Sequence, residues 1–194
     1  NMDRGETDGS CAYAFTAAEW EAAHETSAQL SARELADGTW HCPHAATEGR
    51  EYCLFHLPPD EKDSDRVAEA FLDRIAEAGE RPKQFVGARF DGLALEHAVL
   101  ESSDNHPIDL RHARIEGELD WRYAIVRQPL SLEGAVFQGD ARFDEVTVEG
   151  DAFFTGARFP SERKAYFVKA AFGGAAILYD VSFHGDSSFF SAIF

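Results

Sequence analysis

Lysine is nearly absent from this chain. Of 18 basic residues only four are lysine (Lys62, Lys83, Lys164 and Lys169), and they stand against 35 Asp+Glu for a formal net charge of −17. That balance argues against direct nucleic-acid binding through a basic patch, since a polyanion is repelled over most of such a surface. It matches proteins of salt-rich cytoplasm, where a carboxylate-covered surface stays hydrated and its self-repulsion is screened. No apolar run nears the roughly 20 residues that span a bilayer, and the start lacks the basic-then-apolar layout of a secretory leader. Asn1 ahead of Met2 reads as the remnant of a cleaved tag. Enzyme signatures are missing as well: there is no phosphate-binding glycine loop, nucleophile elbow or His-Glu-x-x-His. The run Glu61, Asp63, Asp65 reads as a solvated face, and His97, His106, His112 and His184 read as surface or corner residues. These absences point to a cytoplasmic protein that is not an enzyme.

What the chain does have is a period. From Gln84 to Phe194 apolar residues recur every five positions, most of them preceded two places earlier by a small one, as in Ala88/Phe90, Ala98/Leu100, Ala135/Phe137, Ala157/Phe159, Ala170/Phe172, Ala175/Ile177 and Ala192/Phe194. Five fits neither a helix at 3.6 nor a strand at 2. A continuous strand fails on parity, because Ala88 and Phe90 would face one way and Leu93 and Leu95 the other. The backbone must therefore turn a corner in every repeat. Four such sides close a square coil of about twenty residues, with the large residue on the axis and the small one making room for it.

These small-x-Phe/Leu repeats resemble the pentapeptide-repeat family. The resemblance implies a mainly β fold, a right-handed quadrilateral β-helix over about the last three fifths of the chain, read here as residues 81–194, and a small N-terminal α-helical cap is expected before it. Departures from the period mark corners and loops. Phe137 to Phe143 and Phe183 to Phe189 are six apart across Gly139-Asp140 and Gly185-Asp186, a pairing suited to a tight bend. The phase slips through Leu119-Asp120-Trp121 and Leu130-Ser131-Leu132. Loops are expected at 102–107 and 160–164.

The N-terminal part is organised differently. Residues 1–80 carry a net charge of −12 and residues 81–194 only −5. Thr16-Ala17-Ala18-Glu19 has capping-box spacing and predicts a helix from about Ala17, carrying Trp20 and Ala23. Ser27 to Leu35 predicts a second short helix. Asp63 or Ser64 caps a stronger one with Val67, Phe71 and Ile75 on one face, ending before Gly79 and Pro82. We read residues 1–62 as a Cys/His-rich segment, 63–80 as a helix covering the open first coil, and the rest as the solenoid.

Chemistry concentrates in Trp40-His41-Cys42-Pro43-His44 and Tyr52-Cys53-Leu54-Phe55-His56, with Cys11 upstream. Zinc takes thiolate and imidazole tetrahedrally, and four closed protein ligands make a structural site. The expected set is Cys11, Cys42, Cys53 and His56, with His44 as the substitute. A disulfide with one odd thiol, three unliganded core cysteines, and an open three-ligand site able to hydrolyse a substrate are the competing readings.

The Trp-x-Cys-Pro-His and Tyr-Cys-x-Phe-His segments followed by repeats resemble pentapeptide-repeat proteins of salt-loving archaea. Some of those carry an ion-channel-like membrane region, which makes the soluble part of a longer membrane-associated protein one alternative. The principal expectation is a rigid, zinc-capped scaffold that binds a protein partner. A second alternative is DNA mimicry, as in family members that present an acidic rod to DNA gyrase, although the nearly balanced repeat region speaks against it. The stop within a repeat at Ser191-Ala192-Ile193-Phe194 predicts that the polypeptide continues past Phe194 or that two chains dock end to end.

Overall fold

The computed structural model describes residues 9–24, 26–160 and 162–194. The Asn1-Met2 start and Ser161 of the second predicted loop lie outside the described residues. The chain is mainly β. A short antiparallel pair, β1 (Ala14–Thr16) and β2 (Thr39–His41), flanks helix α1 (Ala17–His24), and a second helix, α2 (Ser64–Ala76), precedes the repeats. From Arg89 onward every strand has two residues and pairs only in parallel, and the strands stack into four sheets that form the four sides of a solenoid of about four turns.

Taken in chain order, the first side stacks Arg89–Phe90, Arg114–Ile115, Val136–Phe137, Arg158–Phe159 and Ser182–Phe183. The second begins at Leu93–Ala94, the third at Val99–Leu100 and the fourth at Ile108–Asp109. The large residue of each side points to the axis and lies over its counterpart one coil away. Phe137 stacks on Phe159 (centroids 4.6 Å apart), Phe143 on Phe167 (4.8 Å) and Phe167 on Phe189 (4.7 Å), all nearly coplanar. Neighbouring columns meet edge-to-face, as Phe143 and Phe154 do at 6.1 Å. Both are favoured aromatic geometries. Phe90, Phe143, Phe159 and Phe172 are all buried, as the five-residue period requires.

The coil is longer than the period alone suggests. Ile115, Phe137 and Phe159 occupy one column 22 residues apart, so two of the four sides are six residues long. The extra residue sits at the corners before the second and fourth sides, which carry Gly117, Gly139, Gly150 and Gly185. A Cβ at Gly139 would meet the Gly117 carbonyl oxygen at 2.0 Å, so these corners stack backbone on backbone. This corrects the Ala175/Ile177 pairing. Gly173-Gly174 adds a residue, Ala176 pairs with Ala152, and Ile177 points outward at 40% exposure while Leu178 packs on the core. The other two corners turn through left-handed residues: Gly87, His112, Gly134, Gly156 and Asp180 before the first side, and His97, Tyr123, Glu145, Lys169 and Ser191 before the third.

Helix α2 covers the first coil. Asp63 caps it by accepting from the Arg66 amide (2.8 Å), and its buried stripe is Val67, Phe71 and Ile75. Phe71 lies 4.6 Å from Phe85 and edge-on to Phe90 at 6.0 Å, which closes the axis with aromatic rings. The far end of α2 is fastened by Lys83, which is fully buried. Its ammonium donates to the carbonyl oxygens of Glu77 (2.6 Å) and Gly79 (2.9 Å) and pairs with Asp104 (3.1 Å). The predicted loop at 102–107 is thereby drawn onto the helix end.

Ser27 to Leu35 is not helical. Its backbone is committed elsewhere: the Ala28 amide donates to the Glu21 carboxylate (2.9 Å), the Ala28 carbonyl accepts from His112 (2.6 Å), and the Gln29 carbonyl accepts from Arg111 (2.6 Å). Gln29 is itself left-handed. These partners replace the i to i+4 ladder, two of them with bonds across 82 and 84 residues of sequence. Its anchor, His112, is a corner residue as expected but is buried, stacked on Phe15 at 4.6 Å. Burial holds its imidazole down at a pKa of about 4.

Candidate metal centre

Three segments meet at the Cys/His cluster. Pairing of β1 with β2 sets Ala14 opposite His41, and the same ladder runs outward through the Cys42 amide to the Tyr13 carbonyl (3.1 Å) and the Cys11 amide to the His44 carbonyl (3.0 Å). That alignment places Cys11 beside Cys42. The third segment is a tight turn in which the His56 and Leu57 amides both donate to the Cys53 carbonyl (3.0 Å each). A turn of this kind folds Cys53 and His56 onto one side. An Ala12 to Glu51 amide bond (2.8 Å) docks it against β1.

The ligand atoms of Cys11, Cys42, Cys53 and His56 all lie within 4.8 Å of one another, and all four residues are buried. Cys42 and Cys53 sulfurs are 3.7 Å apart, Cys11 Sγ is 3.8 Å from His56 Nδ1, and Cys53 Sγ is 3.2 Å from it. A tetrahedral zinc with bonds of about 2.3 Å to sulfur and 2.0 Å to nitrogen sets its ligands about 3.5 to 3.8 Å apart. The cluster thus has the size of a zinc coordination shell. All three cysteines are free in this structure, the Cys42 and Cys53 sulfurs lying 3.7 Å apart and unbonded.

The imidazole is aimed by its other nitrogen. His56 Nε2 lies 2.9 Å from the Val86 carbonyl oxygen, which can only accept, so Nε2 carries the proton and the Nδ1 lone pair faces the sulfurs. Tyr13 stacks flat on the His56 ring (3.9 Å, 10° between planes), which fixes its rotation. Charge is prepared too. The Cys53 amide donates to Cys11 Sγ (3.1 Å), and hydrogen bonds from the Cys42 and Cys53 thiols hold Cys11 far below the usual thiol range. Hydrogen bonds to Cys11 and Cys53, with burial, push Cys42 well up, and the hydrogen bond to Cys11, with burial, pushes Cys53 up to about 11. Three sulfurs this close cannot all ionise unless a cation neutralises them. Burial, reinforced by the nearby sulfurs, raises the Tyr13 phenol to about 12.

His44 does not join the four. Its Nε2 donates to the Gln84 carbonyl (2.9 Å) and its ring packs between Phe55 and Phe85. Desolvation lowers its pKa to about 4, so it is a neutral packing residue. One functional side chain escaped the sequence reading: Lys62, whose ammonium donates to the carbonyls of Leu54 and Phe55 (3.1 Å each) and of Arg89. It ties the Cys53-x-x-His56 turn to the first solenoid strand, and burial lowers its pKa to about 8. The available signal was scarcity, since two of the four lysines, Lys62 and Lys83, cap carbonyls at the junction.

Comparison with known proteins agrees with this architecture. A family model described as pentapeptide repeats (9 copies) matches residues 132–172. No curated protein and no solved structure matches the chain. The match spans two of the stacked coils, and the same inward columns run past it on both sides, from Phe85 to Phe194. No helix among the described residues is long and apolar enough to cross a membrane.

Proposed function

We propose that the chain is a non-enzymatic interaction scaffold, a rigid solenoid whose N-terminal unit is locked by one structural zinc ion on Cys11, Cys42, Cys53 and His56. The observation that carries this reading is the closed, buried set of four ligand atoms. With all four tetrahedral positions supplied by the protein, a bound ion ties three segments together and leaves no position for a substrate. Elemental analysis of protein purified without added metal tests it, with one zinc per chain expected. Absence of zinc together with a Cys42–Cys53 disulfide overturns it.

A surface that suits a protein partner is the apolar patch of Phe190, Ile193 and Phe194, each at least 64% exposed. End-to-end docking of two chains, or coverage by further polypeptide, fits that surface, and sedimentation at high salt separates the two. The outward strand positions disfavour DNA mimicry. They are Arg89, Arg114 and Arg158 on the first side and Val99, Ile125, Thr147 and Ala171 on the third, where a mimic needs carboxylates. Recovery of DNA gyrase in a pull-down from the native cytoplasm at high salt reverses that ranking.

A further inference from the structure

The first side of the solenoid carries arginine at three of its outward strand positions, in a chain of net charge −17. Arg89 and Arg114 are paired in register, and Arg158 follows two steps along the same ladder through Val136. Arg89 is neutralised by Glu116 at 2.8 Å. The guanidiniums of Arg114 and Arg158 have no hydrogen-bond or ion-pair partner among the described residues, in a chain with 35 Asp+Glu. Both line an open cleft of about 670 Å³ between this side and the N-terminal segment, whose wall is Tyr13, Phe15 and Trp20. A second cleft of about 630 Å³ adjoins it, sharing Trp20, His24, Gly134 and Arg158. Volumes of this order are those of small-molecule sites. Among the described residues, the carboxylates on the two linings are Glu116, already paired with Arg89, and Asp180 at the far rim.

The corner above these arginines gives a second, independent sign. The left-handed corner before the third side tolerates Tyr123, Glu145 and Lys169, so this conformation does not by itself demand glycine. On the cleft side Gly87 and Gly134 are required sterically, since a Cβ would meet the Tyr13 hydroxyl at 1.9 Å or the His112 ring at 2.5 Å. Gly156 is different. A Cβ there would meet nothing within 4 Å, and the missing side chain leaves the cleft open next to Arg158.

We propose that this cleft binds a small organic or inorganic anion bearing phosphate or carboxylate groups, gripped by Arg114 and Arg158. Two unpaired guanidiniums about 9.6 Å apart at their backbones, two strand spacings, reach a shared ligand with two anionic groups. The overall charge of −17 keeps large polyanions away, while a small ligand in the cleft feels the local arginines.

The probes are inorganic pyrophosphate and citrate, titrated calorimetrically into the full chain at a salt concentration where circular dichroism shows it folded. One-to-one binding of pyrophosphate supports a phosphate ligand, and binding of citrate alone supports a carboxylate ligand. Arg114→Gln and Arg158→Gln each weaken binding by about tenfold, the worth of one charge-assisted hydrogen bond, and Arg66→Gln, at an exposed position on helix α2 that lines neither cleft, leaves it unchanged. Gly156→Glu, a residue that the equivalent opposite corner accepts at Glu145, folds normally and abolishes binding by placing a carboxylate in the cleft. Failure of both probes to bind the folded protein, or equal binding by the double arginine variant, overturns the proposal.

Discussion

Truncation of Phe143 tests whether the aromatic axis carries the stability of the solenoid. Its side chain is about 1% exposed. It stacks on Phe167 at 4.8 Å and meets Trp121, Phe137 and Phe154 edge-on at 5.9 to 6.2 Å, so it is held from the coils on both sides and from two faces of its own layer. Phe143→Ala removes that packing and leaves a hole which flanking hydrogen-bonded strands cannot collapse into. A loss of roughly 3 to 5 kcal/mol is expected. Phe194 occupies the equivalent axial place in the last coil but is 64% exposed and has one stacked neighbour, Phe172 at 5.3 Å. Phe194→Ala should cost about 0.5 to 1.5 kcal/mol, the worth of an aromatic pair. The assay is urea denaturation at fixed high salt, followed by far-ultraviolet circular dichroism, with the slope compared between variants so that the midpoint shift reads stability alone. A solenoid is close to one-dimensional, so interior and terminal positions must differ. Equal losses for the two variants, or a loss below about 1 kcal/mol for Phe143→Ala, would refute the reasoning.

Other perturbations reach the remaining parts. Chelation of the proposed zinc should raise amide exchange across residues 9–60 before the solenoid loosens, as ligation supplies folding free energy locally, and uniform loosening of the whole chain would count against it. Because His112 is held near pKa 4 by burial against an unfolded value of 6.5, the folded state binds fewer protons in between. Its contribution is therefore whole above pH 6.5 and is lost as pH falls toward 4, which amounts to about 2 kcal/mol between pH 7 and pH 5. His112→Asn, suited to the left-handed corner, should remove that part of the pH slope, and an unchanged slope in urea titrations at the two pH values would exclude His112 as its source. Lys83→Met leaves the Glu77 and Gly79 carbonyls without their donor and should destabilise by roughly 1 to 3 kcal/mol, with a neutral thermal melt as the contrary result. Ala157→Phe overfills a fully buried position, and a loss of about 1 to 3 kcal/mol in the same denaturation assay is expected.

The square coil was legible in the residues because a five-residue side is a local object. Ala135 and Phe137 decide by themselves that one side faces inward, and the next repeat, at Ala141 and Phe143, requires a corner between them. The Asp63 cap and the stripe of Val67, Phe71 and Ile75 are equally local, since a helix reads its own i+4 neighbours. The four candidate ligands could be chosen from element chemistry, because thiolate and imidazole at Cys53-x-x-His56 spacing suit few other purposes. Tertiary structure decided whatever depends on partners distant in sequence. Ser27–Leu35 lost its helix to Glu21, Arg111 and His112, and the bonds from the last two come from more than 80 residues away. His112 became a buried anchor only because Phe15 lies over it, while His97, in the matching place at the opposite corner, stays exposed against Tyr123. The direction of His56 depended on the Val86 carbonyl 30 residues away, and Glu116, on the same cleft as Arg114 and Arg158, pairs with Arg89, while those two guanidiniums have no partner among the described residues. Periodicity specifies which way a side chain points along its own strand. What waits for it there is set by a chain segment folded in from elsewhere.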